Sequence, residues 1–327
     1  MRTLCLIRTK IVSVILGGIL VASASAAADG RLPGAKVFKA CAGAGPYWPT
    51  MTLALDGRSA WVACKEQARV VRLNTRTGKI TASIRLGAPV IAVAAGYGSI
   101  WAVDTGSTLS RIKPSTARVT RRVALAAAAP YNVWTGGGSI WVAEDQGARV
   151  IRISPATGRV LKRLPVGDGP ADMAFADNAA WVINHRDRRL MRINLATNSV
   201  TELATLPGDA PERMTWLGGS LWITGRGTDL LQVDPQTGAA KSTIEIGAGG
   251  IDVVAAGGFL WVPVRSAVVD ATGFPTMETM RRVSAVTRQV TTAATASGRL
   301  DVHGLQASGG FVWIADNRAG VVFRVRA

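Results

Sequence analysis

Short apolar stretches, many of them closing on a tryptophan, recur along nearly the whole chain and are separated by turns rich in Gly, Pro, Asn and Asp. They are too short, and too often interrupted, for helices. Apolar runs of this length between turn residues predict β-strands. Aligning the chain on the Trp that ends each Gly-rich approach gives Trp61, Trp101, Trp141, Trp181, Trp222, Trp261 and Trp313, at steps of 40, 40, 40, 41, 39 and 52 residues. A period near 40 built from strands is the mark of a propeller blade. In the third repeat the expected strands are 132–135, 139–143, 149–153 and 159–165, joined by Gly136-Gly137-Gly138 and by Ser154-Pro155-Ala156-Thr157-Gly158. Gly tolerates the positive φ that such hairpins need. The fold class predicted is all-β: a seven-bladed β-propeller of four-stranded blades.

The ends of the pattern say how the ring closes. After Trp313 there is room for a third strand, 321–325, and then the chain stops. Residues 36–40 match an outer strand and precede the first inner strand. The N-terminal strand is therefore expected to complete the last blade. This places Cys41, after that outer strand, and Cys64, after the second strand of blade one, on the same face, and predicts a Cys41–Cys64 disulfide; two free buried thiols are the alternative. A single blade cannot bury both of its faces, so a Trp from each second strand is expected between blades. Arg72, Arg111, Arg152, Arg192, Arg282 and Arg324 share one register, with Gln232 in the fifth copy. They are read as inter-blade donors to turn carbonyls, with an anion-binding ring as the alternative.

Composition changes the picture at the N-terminus. Arg2, Arg8 and Lys10, the short apolar run 11–22 and the small residues up to Ala28 form a secretory signal, cut after Ala26 or Ala28. The run is short for a membrane span, and an uncleaved anchor is the alternative. The expected division is 1–26 signal, 27–35 tail and 36–327 propeller, giving a periplasmic or secreted protein without a span and read as a monomer. Cys5 leaves with the signal, and an oxidising compartment permits the remaining pair to bridge. Losing Arg2, Arg8 and Lys10 takes the formal net charge from +17 to +14. Such a chain draws anionic partners: nucleic acid, anionic lipid, envelope polysaccharide or acidic proteins. The charge alone also fits plain solubility.

Candidate chemistry gathers at the channel mouth. Nine positions before each marker Trp stand Thr52, Ala92, Asn132, Asp172, Arg213, Asp252 and Gly304, with Tyr131, Glu212 and His303 one step earlier. Asn132, Asp172, Glu212, Arg213 and Asp252 form a candidate site for a small polar ligand or a cation, or simply line a wet channel. The same face carries Asp104, Glu144, Asp145, Asn184, His185, Asp316 and Asn317. Blade six has extra length within 265–280, either a lid loop or a tolerated insertion. No P-loop, CxxC, GxSxG or HExxH pattern is present. In blade seven, Asp301, His303 and Asp316 are candidates for acid–base chemistry or for holding a divalent cation, Mg or Ca; no other cofactor is evident.

The phrases Gly138-Ser139-Ile140-Trp141-Val142-Ala143-Glu144 and Val150-Ile151-Arg152-Ile153-Ser154-Pro155-Ala156-Thr157-Gly158 resemble the repeats of YVTN-type propellers and of the virginiamycin B lyase-like family. The resemblance runs from Lys36 to Ala327. It implies the propeller fold, and it would imply a Mg-dependent C–O lyase with His303, Asp301 and Asp316 on the family's catalytic positions. Asp replaces the expected Glu, and Gly250 and Ile251 stand where a second His belongs. The reading is an exported binding or scaffolding propeller with an anionic partner. The alternatives are a metal-dependent lyase or lactonase and a propeller that binds DNA without sequence preference.

Overall fold

The computed structural model describes residues 30–42, 52–269 and 275–327; the expected signal segment lies outside them. Among the described residues the chain forms seven four-stranded antiparallel sheets, each running in chain order from an inner to an outer strand, except the last. Blade one is Leu53–Asp56, Ser59–Cys64, Arg69–Asn74 and Ile80–Arg85. Blade three is Pro130–Gly136, Ser139–Glu144, Arg149–Ile153 and Val160–Pro165, wider by a residue or two at the inner strand than its sequence suggests. One 3-10 turn, Lys65–Gln67, is the helical exception among the described residues.

Blade seven closes the ring as its sequence predicts. Val302–Ser308, Phe311–Asp316 and Val321–Arg326 are completed by Lys36–Lys39, which pairs antiparallel to the last strand from Lys36↔Arg324 to Lys39↔Val321. Phe38 stacks on Trp313, with ring centroids 5.7 Å apart. The Cys41–Cys64 disulfide then ties the closing strand to blade one, with the two Cα atoms 5.6 Å apart.

The marker Trp residues are all buried, from 0% exposed at Trp61 to 3% at Trp313. Each pairs across the sheet with the repeated Arg, as Trp61↔Arg72, Trp141↔Arg152 and Trp313↔Arg324, and with Gln232 in blade five. The Arg152 guanidinium sits 5.3 Å over the Trp141 ring, a cation–π contact. Its Nε donates to Ser139 Oγ and its Nη1 to the Leu195 carbonyl of the next blade. Arg72 reaches Pro114 O, and Arg324 crosses the closure to Thr75 O. In these three blades the repeated Arg is an inter-blade strut. Apolar layers fill the remaining space: Trp61, Ala63 and Val70 of blade one pack on Val93, Ile100 and Ile112 of blade two.

Blade six departs from the loop expectation. Its second strand runs Phe259–Val269 and its third Pro275–Ser284, so the extra length is a lengthened hairpin, with register shifts around Arg265 and a last pair Val269↔Pro275. Its tip, 270–274, lies outside the described residues. The outer strand extends too, over Val290–Leu300. The tail before the first strand packs on this extension: Arg31 and Ser297 exchange backbone hydrogen bonds, and Leu32 is buried beside Met277 and Leu300.

Candidate functional site

In most blades the inner strand enters the sheet through a register shift at the channel mouth, as between Pro170 and Asp172 and between Pro211 and Arg213. Such a bulge re-aims the side chain beside it. The inner strands of all seven blades line a central cavity of about 370 Å³, which Thr52, Asn132, Asp172, Arg213, Asp252 and Gly304 help to form.

The structure brings Asp172, Arg213 and Asp252 together and gives the two acids a specific task. Asp172 Oδ1 accepts from Met173 N (2.8 Å) and from the Trp134 indole (2.9 Å), and its Oδ2 accepts from Met214 N of the next blade (2.8 Å). Asp252 repeats this with Val253 N at 2.7 Å and Leu305 N of blade seven at 3.1 Å. Thr52 Oγ1 accepts from Val93 N of blade two (3.1 Å). The same inner-strand position therefore clamps three blade pairs from within. Asn132 accepts from its neighbour Val133 N, at 2.9 Å.

Arg213 stands between the two clamping acids, and its Nη1 donates to Glu212 O at 2.7 Å. Burial alone would lower its pKa; Tyr131, Asp252, Asp172 and Glu212 around it raise it instead. Burial pushes Asp172 up despite Arg213. Burial pushes Asp252 up to about 7, with Asp172 adding to the shift and Arg213 opposing it. Glu212 holds the blade-six extension: Oε2 meets Arg265 Nη2 at 2.6 Å and Oε1 meets Arg226 Nε at 2.7 Å. Burial would raise the Glu212 pKa, but Arg265, Arg213 and Arg226 together bring it below the usual range.

Asp316, at the end of the second strand of blade seven, is fully buried. Its Oδ1 accepts from Asp301 N (3.0 Å) and Arg318 N (3.1 Å), while Oδ2 has no hydrogen-bond partner among the described residues. Burial raises it to about 7, and nearby Asp301 adds to the rise. Glu144 is the same strand end in blade three. It accepts from Ala128 N at 2.7 Å and pairs with Arg149 at 2.6 Å. Asn184 does the same job by donating to Val166 O. In blade one this position is Cys64, so the disulfide stands where other blades use a polar side chain to hold the preceding outer-to-inner connection. The His303 side chain lies outside the described residues. Among those described, no three His, Cys, Asp or Glu side chains cluster as metal ligands.

A second feature is visible only once the ring is closed. The third-to-fourth turns and outer strands of four consecutive blades expose bases and no acid. They are Lys36 and Lys39 in blade seven; Arg76, Lys79 and Arg85 in blade one; Lys113, Arg118, Arg121 and Arg122 in blade two; and Arg159 and Lys162 in blade three. The band is continuous across blades. The Gly78 turn of blade one lies under Phe38, and the Gly158 turn of blade three lies against Arg121 and Val123. The matching segments of blade six add exposed Arg288 and no acid, whereas those of blades four and five carry Glu202, Asp234, Glu245 and Lys241, with Lys241 paired to Asp234 at 2.9 Å. From sequence, Arg118, Arg121, Arg122, Lys162 and Arg163 read as edge charges that discourage sheet pairing. Arg163 turns inward, to Glu144 and the Leu125 carbonyl, and Arg122 reaches the Leu86 carbonyl from an exposed position, while Arg118, Arg121 and Lys162 lie in one exposed sector.

These features define a seven-bladed propeller with an internally clamped channel and a one-sided basic rim. Its fold is that of the virginiamycin B lyase-like propellers. The selenomethionine-substituted virginiamycin B lyase of Staphylococcus aureus superposes with a TM-score of 0.73 at 18% identity, over 91% of this chain and 100% of that one. A catalytically inactive form of that lyase with quinupristin gives 0.70 at 17%, with the same coverage. BamB from Moraxella catarrhalis gives 0.58 at 12% identity, over 84% of this chain and 82% of that one. No protein-family model and no curated protein matches the sequence. At these identities the likeness concerns the fold.

Proposed function

We propose that this chain is an exported binding module whose partner is an anionic macromolecule, held on the rim of blades seven, one, two and three. The observation that carries the reading is the sorting of charge: exposed bases without an intervening acid over four neighbouring outer strands, against an acid-bearing rim on blades four and five. A net charge serving only solubility has no reason to segregate, whereas a sector of one sign attracts and orients a partner of the other. The channel acids Asp172, Glu212 and Asp252 do not compete for this role, because they spend their oxygens on neighbouring backbone amides and arginines. Binding to an immobilised polyanion should weaken steeply between about 50 and 200 mM salt. Retention that does not change with salt would overturn the reading.

A second reading, a small polar ligand in the channel, is favoured by the 370 Å³ cavity and by Arg213 projecting between two acids. Native mass spectrometry of protein purified without chelators tests it. A stoichiometric bound molecule that is lost in Asn132→Ala would support it.

A further inference from the structure

We infer that the partner on the basic rim is a flexible acidic polysaccharide, with carboxylates along its chain, that follows the rim from blade seven to blade three. The inference rests on the anionic-partner reading above and adds the partner's class. Three observations select it.

The first is shape. The sector occupies four of seven consecutive blades, more than half of a convex perimeter. A flat lipid surface meets such a rim along only one or two blades and leaves the remaining bases in water. Duplex DNA is no better suited. Its persistence length is about 500 Å, whereas a domain of this size has a radius of gyration of about 19 Å. Only a flexible polymer can reach from Lys36 to Lys162.

The second is the apolar component. The large hydrophobic side chains exposed on this rim are aliphatic: Val37 at 54%, Ile80 at 52%, Val160 at 36% and Leu161 at 51%. The one exposed aromatic among the described residues, Tyr97, lies in the blade-two hairpin turn outside the sector. Single-stranded nucleic acids are held by stacking bases on aromatic platforms, which the described residues of this rim do not offer. Aliphatic side chains beside Arg and Lys suit the C–H faces of sugar rings between successive carboxylates.

The third is donor chemistry. Arg85, Arg118, Arg121 and Arg159 are exposed and form no ion pair among the described residues. Planar guanidinium forks match carboxylates through paired hydrogen bonds.

The test is fluorescence anisotropy at low salt with the mature protein and four labelled probes: a polyuronate, a duplex DNA, an oligo-dT and anionic vesicles. The rim variant is Lys39→Gln, Arg85→Gln, Arg118→Gln and Lys162→Gln together. The control is Lys241→Gln with Arg189→Gln, on the acid-bearing side at blades four and five. Thermal midpoints confirm that both remain folded. We expect the polyuronate to bind more tightly than the other probes, the rim variant to weaken it at least about tenfold, and the control to leave it unchanged. If DNA, oligo-dT or vesicles bind more tightly in a rim-dependent way, the anionic-partner reading stands and the polysaccharide assignment is overturned. If no probe binds at low salt, both are overturned. If the polyuronate binds equally to wild type and rim variant, the site is elsewhere and the inference fails.

Discussion

Cys41 and Cys64 hold the weakest seam of a ring that has no covalent closure except at this point. The closing strand contributes only the four residues Lys36–Lys39, of which Phe38 is the buried one. Replacing both cysteines with Ser removes a link across 23 residues of sequence. By chain entropy, opening a loop of that length releases about 3.4 kcal/mol to the unfolded state. Unfolding of roughly 290 residues carries about 0.6 kcal/mol per degree of entropy, so the midpoint should fall by about 6 °C. The loss should also be local before it is global, because the other anchors of the strand are the Phe38–Trp313 stack and the ladder to Val321–Arg326. Hydrogen exchange at Lys36–Lys39 should therefore rise well before exchange in blades three to five. Calorimetry and exchange on the double-Ser variant, beside the oxidised parent, measure both. An unchanged midpoint together with unchanged protection of Val37 and Phe38 would refute the seam argument, since the strand would then be held without the bridge.

Other outcomes follow from the same geometry. Asp172→Ala strands the Met214 and Met173 amides and the Trp134 indole, and should cost about 3 kcal/mol in urea unfolding, with Asp172→Asn losing less. Asp252 and Asp316 rise to about 7 in the folded chain from an ordinary 3.8, so the native state holds their protons more tightly than the unfolded chain does. Their contribution is therefore greatest below about pH 4 and is lost as pH rises through 7; Asp252→Asn should flatten that slope in urea midpoints taken across the range. Gly78 has φ +74°, and a Cβ there would run into the Phe38 ring, so Gly78→Ala should lower the thermal midpoint and raise exchange in the closing strand. Glu144→Gln should destabilise by about 1 kcal/mol, because it removes the carboxylate that the partly exposed Arg149 and Arg163 share.

What could be read from sequence was whatever repeats. The seven Trp residues fix the blades because one buried indole per second strand is needed wherever two sheets meet. The closing strand and the Cys41–Cys64 bridge follow from counting strands at the two ends. The blade-six extension could not be read this way: Gly273 and Pro275 look like loop residues, yet Pro275 opens a strand whose pairing to Val269 depends on tertiary register. The channel acids were visible as Asp172 and Asp252, but not their task, because Met214 N and Leu305 N belong to the next blade and no local pattern announces an inter-blade acceptor. The rim is the sharpest case. Arg118 and Lys162 stand some forty residues apart, and Lys36 lies near the other end of the chain from the strand it pairs with. Each looks like an ordinary edge charge. They become one sector only because Lys36↔Arg324 pairing brings the N-terminal bases round beside blade one. Ring closure and basic rim are thus a single device. Peeling away the closing strand, by reduction or by Gly78→Ala, should remove Lys36 and Lys39 from the sector and weaken polyanion binding along with stability, whereas Asp172→Ala, on the far side of the ring, should lower stability and leave binding intact.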